Sequence, residues 1–112
     1  MSNDRKEAVR TYKERKIPRG VFVLRSTATE RRWVDSSPNL DAARNLLWFE
    51  LKRGAHRNRI LQAEWNTEGE SSFEFEIVEE LDPDIIESAI RDELKSKKAE
   101  WVTKLGAPTV SP

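Results

Sequence analysis

The sequence predicts one α+β domain in which helices flank a small, mainly antiparallel sheet of three strands, with an added N-terminal helix. Three observations predict it. Runs of β-branched and aromatic residues lie on both sides of a polar break within residues 20–37, as in a hairpin. Residues 72–79 alternate apolar and acidic side chains, which is typical of a half-buried strand. Elsewhere, apolar residues recur at helical spacing.

The hairpin is the element on which we expect the rest of the chain to pack. Its first strand contains the apolar run from Val21 to Leu24, and its second contains Trp33 and Val34. The polar break between them has neither Asn-Gly nor Asp-Gly, so we expect a loop longer than two residues.

The first two helices are predicted from helix formers and end signals. Residues 3–16 are rich in good helix formers and have only a thin apolar stripe. The next helix is expected to begin at Pro38, with Asn39 or Ser37 as its N-cap, and to end at Gly54.

The two later helices are predicted from their apolar spacing. The shorter one covers residues 58–67, and its expected buried residues are Ile60, Leu61 and Trp65. The last helix is expected to start where Asp82 precedes Pro83, because a capping residue before proline is typical of a helix start. Its expected apolar stripe is Ile86, Ile90, Leu94, Trp101 and Leu105.

The chain divides into three predicted parts. Residues 1–18 form an N-terminal helical extension, and residues 19–106 form the domain. Gly106 is a suitable end for the last helix, and Pro108 prevents its continuation. We therefore expect residues 107–112 to be a frayed tail.

Composition excludes several classes of protein and localises the charge. The chain has no cysteine, which excludes disulfides, thiolate metal sites and cysteine nucleophiles. No segment has the roughly 18–20 apolar residues of a membrane span or the apolar core of a signal peptide, so we expect a cytoplasmic protein without membrane contact. Residues 1–59 carry 15 Lys or Arg and 7 Asp or Glu, whereas residues 60–112 carry 5 and 13. This asymmetry favours a polyanion-binding face, head-to-tail self-association, or two solvated faces of opposite charge.

Several ordered motifs resemble the GIY-YIG nuclease domain. Its two name-giving triplets correspond to Gly20-Val21-Phe22 and Trp33-Val34-Asp35. The more specific similarity follows, in segments ordered as in that family: Lys52 to Asn58 with His56, Leu61 to Asn66, Gly69-Glu70, and Phe73 to Glu79. The resemblance covers residues 19–105 and implies the family's fold.

The resemblance also implies the family's chemistry, which is phosphodiester cleavage with one divalent metal, Mg²⁺ or Mn²⁺. The family's two tyrosines, helix arginine, following histidine or tyrosine, and metal-binding glutamate fall on other residue types here. These positions hold Phe22, Trp33, Ala43, Leu47 and Lys98. Arg44 adjoins one of them but is turned by about 100° around a helix. Among the residues compared, His56 is retained.

Without the hydroxyls, arginine and carboxylate, we expect a catalytically impaired, nuclease-like domain with no metal ligand, no cofactor and no confident catalytic residue. The predicted contacts to a DNA or RNA backbone are Lys52, Arg53, His56, Arg57 and Arg59. Two alternatives stay open. One is an active metal-dependent endonuclease with displaced catalytic residues. The other is a protein-interaction or self-associating domain, using Trp48 and Phe49 or the opposite charges of the two halves.

Overall fold

The three strands form one antiparallel sheet with the first strand in the middle. The computed structural model describes residues 17–111, so the helix predicted for residues 3–16 lies outside them. The strands are β1 (Gly20–Ser26), β2 (Arg32–Ser37) and β3 (Phe73–Glu80), in the order β2-β1-β3. Both neighbours of β1 are antiparallel to it, and a loop joins β1 to β2. The predicted three-stranded sheet and the long hairpin loop are confirmed.

Three α-helices complete the described part of the chain. They are α1 (Leu40–Lys52), α2 (Arg59–Glu68) and α3 (Glu87–Leu105), with a single 3₁₀ turn at Glu70–Ser72 before β3. The Asn39 side chain accepts the Ala42 N–H, and the Asn58 side chain accepts the Leu61 N–H. Both side chains are N-caps that satisfy backbone donors at a helix start. No helix within residues 17–111 is long and apolar enough to cross a membrane.

The alternation of β1 places a hydrophobic core on each face of the sheet. Phe22 and Leu24 belong to the larger core, which the apolar sides of α1 and α2 cover. Val21 and Val23 belong to the smaller core, which α3 covers. Since successive strand residues point to opposite faces, the sheet is enclosed between α1 and α2 on one side and α3 on the other.

A bulge in β3 changes the direction of its last side chains. Phe22 is opposite Ile77, but Val21 is opposite Glu79, so Val78 is an extra residue. Glu79 is thereby turned toward α3, where its carboxylate accepts the Trp101 indole N–H at 2.7 Å and lies 3.3 Å from the Lys97 ammonium. The Trp101 hydrogen bond, followed by Lys97, holds the pKa of Glu79 below its usual value.

The prediction for the start of the last helix is wrong by several residues. Asp82 accepts the N–H of Asp84 through its side chain and that of Ile85 through its carbonyl, which closes a turn. The helix begins only at Glu87, and Ile86 precedes it with 69% of its surface exposed. Asp82 therefore caps a turn rather than a helix.

Burial in α2 follows the predicted pattern with one exception. Leu61 and Trp65 are buried as expected, whereas Ile60 is 64% exposed. Ile60 precedes Leu61 by one position, which rotates it by about 100° away from the core.

The predicted frayed tail is also wrong, because residues 107–111 pack against β2. The Val34 N–H donates to the Pro108 carbonyl, and the Val110 N–H donates to the Val34 carbonyl. This parallel bridge covers the free edge of β2. Ala107 and Val110 are buried, one in each core.

Gly20 offers a test of the β1–β3 pairing. A Cβ at this position would collide with the Glu79 carbonyl oxygen, which is rigid backbone. We expect Gly20→Ala to lower the free energy of unfolding by about 3 kcal/mol, measured by urea denaturation. Gly54→Ala is the matched control: Gly54 has a φ of 72° but no neighbouring atom within 4 Å. Backbone strain alone should cost it about 1 kcal/mol. Equal losses in the two variants would contradict this close approach.

Candidate functional site

A cleft between β1, β2, α1 and residues 107–111 contains several positions singled out from the sequence. Phe22 reaches it from β1, Ala43 and Leu47 from α1, and His56 from the loop that follows α1. The cleft has a volume of about 340 Å³. The structure therefore assembles, from distant parts of the chain, four of the positions that the resemblance placed together.

The wall formed by these residues is mostly apolar. Phe22 is buried and stacks on Phe75 with ring centroids 4.6 Å apart. On the α1 side, Ala43 and Leu47 line the cleft with aliphatic side chains. None of the three side chains carries a hydroxyl or guanidinium group that could move a proton or bind a phosphate.

Two other candidate residues lie outside the cleft. Trp33 is 2% exposed and packs against Phe73 at 6.3 Å in the larger core. The Arg44 guanidinium lies 4.9 Å from the ring centre of Trp48, on the exposed side of α1. Arg44 therefore does not line the cleft with Ala43 and Leu47.

An ion pair joins β2 to α3 beside the cleft. The Lys98 ammonium lies 3.2 Å from one carboxylate oxygen of Asp35. The Ser36 N–H donates to the same oxygen, and the N–H and hydroxyl of Ser111 donate to the other at 3.0 and 2.6 Å. Asp35 is buried, so its charge is balanced by one cation and three hydrogen bonds within the protein.

His56 is held as a neutral imidazole in the cleft. Its Nδ1 accepts the Asn58 backbone N–H at 3.0 Å, and its own backbone N–H donates to the Gln62 side chain. Burial lowers the pKa of His56, and the nearby Glu50 and Asp35 carboxylates offset this only in part. The lowered pKa of His56 favours its neutral form, in which it contributes hydrogen bonds.

Within residues 17–111, the cleft has no preformed cluster of three donor residues for a divalent metal. Asp35, Glu50 and His56 all line it, yet within residues 17–111 no three His, Cys, Asp or Glu side chains are grouped to hold a metal ion. The Asp35 carboxylate is already bound to Lys98 and Ser111. A carboxylate engaged in this way is available to a cation only if its ion pair with Lys98 is broken.

The basic residues predicted to contact nucleic acid lie at and after the end of α1. We call the exposed cations Lys52, Arg53, Arg57 and Arg59 the basic loop. Lys52 lies 3.5 Å from a Glu70 carboxylate oxygen, and Arg53 lies over the Phe49 ring. The ion pairs within residues 17–111 include neither Arg57 nor Arg59.

The apolar surface on α1 differs from the expectation for Trp48. Trp48 is half-buried and packs edge-on against Trp65 at 5.6 Å and Phe75 at 6.3 Å. The exposed apolar surface comes instead from Phe49 and Leu46, which are 55% and 58% exposed. Trp48 is therefore packed against the larger core with part of its surface, and Phe49 and Leu46 are the more exposed apolar residues.

The analysis of the sequence missed two residues of the site, namely Asp35 as the partner of Lys98 and Ser111 as a hydrogen-bond donor to Asp35. A signal for Asp35 existed, because the two departures from the family pattern at 35 and 98 carry opposite charges. No signal existed for Ser111, since its role depends on the packing of residues 107–111.

The sheet order, the helix placement and the cleft define a GIY-YIG-like domain. Two solved structures share its fold. One is the catalytic domain of intron endonuclease I-TevI in a mutant form, with a TM-score of 0.69, 21% identity, and coverage of 80% of this chain and 86% of that chain. The other is the catalytic domain of homing endonuclease I-TevI, with a TM-score of 0.67, 24% identity, and coverage of 79% and 88%. Neither the protein-family profiles nor the curated proteins that were compared gave a match.

The environment of His56 predicts a pH dependence. Because its pKa is lowered in the folded chain, the unfolded chain binds the proton first as pH falls. We expect stability to be full above about pH 6.5 and to decline as pH falls toward the folded pKa. The chain has one histidine, so its imidazole resonance in an NMR titration identifies the group directly. A pKa at or above 6.5 would contradict this account of the site.

Proposed function

We propose that this domain binds the nucleic-acid backbone without cutting it. The observation that carries the proposal is the content of the cleft. Where the resemblance implies catalytic groups, the cleft has Phe22, Ala43 and Leu47, with the Asp35–Lys98 ion pair beside it. The two structural neighbours are described as endonuclease catalytic domains, which supports nucleic acid as the partner.

The lack of cutting is supported by what each position can do. Phosphodiester hydrolysis needs a group that activates water and groups that stabilise charge on the phosphate. Phe22 and Leu47 can do neither. The metal-dependent route needs a metal-binding glutamate, and the resemblance places it at the position that Lys98 occupies here. The Lys98 ammonium would repel a divalent cation.

Lys98 also supplies positive charge in a form that needs no metal. Its ammonium on α3 lies 3.2 Å from the Asp35 carboxylate on β2, which Ser111 also binds. Such a pair makes the local structure independent of dissolved divalent ions. Binding by this domain is therefore expected not to require Mg²⁺.

The basic loop supports binding through phosphate contacts. Its cations are exposed and extend from the last residue of α1, Lys52, to the first residue of α2, Arg59. Exposed Arg and Lys groups lower the free energy of binding by releasing counterions from the nucleic acid, which requires no base recognition. The phosphate backbones of DNA and RNA can both form such contacts.

Reversing the charge of the basic loop should abolish most binding. We expect the triple change Lys52→Glu, Arg53→Glu and Arg57→Glu to weaken duplex DNA binding at least about tenfold and to reduce the salt slope by about 2.7, at about 0.9 per lost contact. Fluorescence anisotropy at several salt concentrations measures both quantities.

The matched control for the triple variant changes Arg31, Arg32 and Lys104 to Glu, which gives the same net charge with the basic loop intact. It should bind nearly as the original chain does. Binding by the original chain should persist in EDTA, because it requires no Mg²⁺, and plasmid DNA should remain uncut with Mg²⁺ or Mn²⁺. Unchanged binding by the triple variant would overturn the binding proposal. Plasmid nicking would overturn its non-cutting part and favour the displaced-residue endonuclease.

The Asp35–Lys98 pair gives a separate test. Lys98→Glu places two carboxylates together, so we expect it to lower the free energy of unfolding by about 2 kcal/mol in EDTA. Millimolar Mg²⁺ should raise the melting temperature of this variant, because a cation then relieves the repulsion. Lys98→Met is the matched control: it loses the ion pair, gains no carboxylate, and should show no Mg²⁺ effect. Melting curves that respond to Mg²⁺ equally in both variants would contradict this interpretation.

A further inference from the structure

A second concave surface runs along α3, on the other side of the Asp35–Lys98 pair from the cleft. One side is the face of α3 that contains Leu94 and Lys98, and the other is formed by Arg19, Ser36 and Pro38. We call this surface the α3 groove. Its volume is about 970 Å³, which makes it larger than the cleft.

The side of α3 that lines this groove is richer in positive charge than the helix as a whole. The helix carries five Lys or Arg and four Asp or Glu, so it is almost neutral as a whole. Arg91, Lys95 and Lys98 line the groove with Glu87 as its one acidic residue on α3. The other acidic residues of α3 do not line it, and they are Asp92, Glu93 and Glu100. This distribution gives the groove a cationic rim that the composition of the helix does not reveal.

The spacing of the three cations places them along one line. Positions 91, 95 and 98 share a helix face and span about 10 Å along the axis. Lys98 is bound to Asp35, whereas the ion pairs within residues 17–111 include neither Arg91 nor Lys95. Both are exposed and therefore accessible to an anionic partner.

The floor of the groove is apolar. It is formed by side chains of α3 that include Ile90, Leu94 and Val102. A suitable ligand must therefore present negative charge at the rim and apolar surface beneath it. A nucleic-acid duplex presents phosphates on its outside, whereas an unpaired strand also presents sugars and bases that can cover apolar side chains.

The groove adjoins the cleft, which His56 of the predicted nucleic-acid contacts also lines. Ser36 lines both the groove and the cleft, and Lys98 lies at the boundary between them. A strand that enters the cleft can thus continue along α3. Residues 1–16 of the chain carry six Lys or Arg and three Asp or Glu, so their like charge disfavours them as the occupant.

We propose that the α3 groove binds an unpaired stretch of nucleic acid, with phosphates on Arg91 and Lys95 and sugars or bases on the apolar floor. This proposal rests on the proposed function and adds a second binding surface with its own preference. The basic loop contacts the backbone of both duplex and single-stranded nucleic acid, whereas the α3 groove prefers single-stranded segments.

The test compares two labelled probes on the full chain, an oligothymidine of about 12 nucleotides and a duplex of the same length. Changing both Arg91→Glu and Lys95→Glu should weaken oligothymidine binding about tenfold and reduce its salt slope by about 1.4, at about 0.7 per contact. Duplex binding should change less than threefold. A control with Arg32→Glu and Lys104→Glu has the same net charge and should affect neither probe in this way. Circular dichroism confirms that both variants are folded.

The outcomes separate this proposal from the proposed function. If the basic-loop variant loses binding while the Arg91 and Lys95 variant binds oligothymidine normally, the α3 groove is excluded and the proposed function stands. If neither variant loses binding, both proposals fail. If sedimentation shows a dimer that the Arg91 and Lys95 changes dissociate, the groove binds a second copy of the chain, and the nucleic-acid assignment is overturned.

Discussion

The burial of β1 on both faces is the constraint on which the rest of the domain depends. Val21 and Leu24 are fully buried but face different cores, and the strand is hydrogen-bonded to β2 and β3 along its two edges. Such a strand requires helices on both sides of the sheet. The cleft follows from the same arrangement, because β1 and β2 pass beneath α1 and bring Phe22 opposite Asp35.

Much of this arrangement could be predicted from the sequence, because it depends on local signals. The two runs of the hairpin, the alternation of β3 and the caps Asn39 and Asn58 each act within a few residues. The error at the start of α3 was local, because Asp82 closes a turn with Asp84 and Ile85. Other features depend on distant residues. The sequence predicted a frayed end for residues 107–111, whereas the structure pairs them with Val34. The bulge at Val78 depends on the register of β3 against β1.

The candidate site was predictable in position but only partly in chemistry. The resemblance brought Phe22, Leu47 and His56 together, and the structure places them in one cleft. It could not predict that Trp33 turns into the core or that His56 stays neutral, since both depend on burial. The Asp35–Lys98 pair joins residues far apart in the sequence. In the sequence, such a pair shows only two opposite charges, and their pairing becomes evident once the fold is known.

The parallel bridge between Val34 and Thr109 has a consequence for synthesis on the ribosome. β1 and β2 are adjacent in the chain and are made early, but the segment that covers β2 is made after α3. For that interval the backbone groups of one side of β2 have no partner within the domain. An uncovered strand edge is a template for pairing with other chains, so the nascent domain is most prone to misassembly just before its last residues emerge.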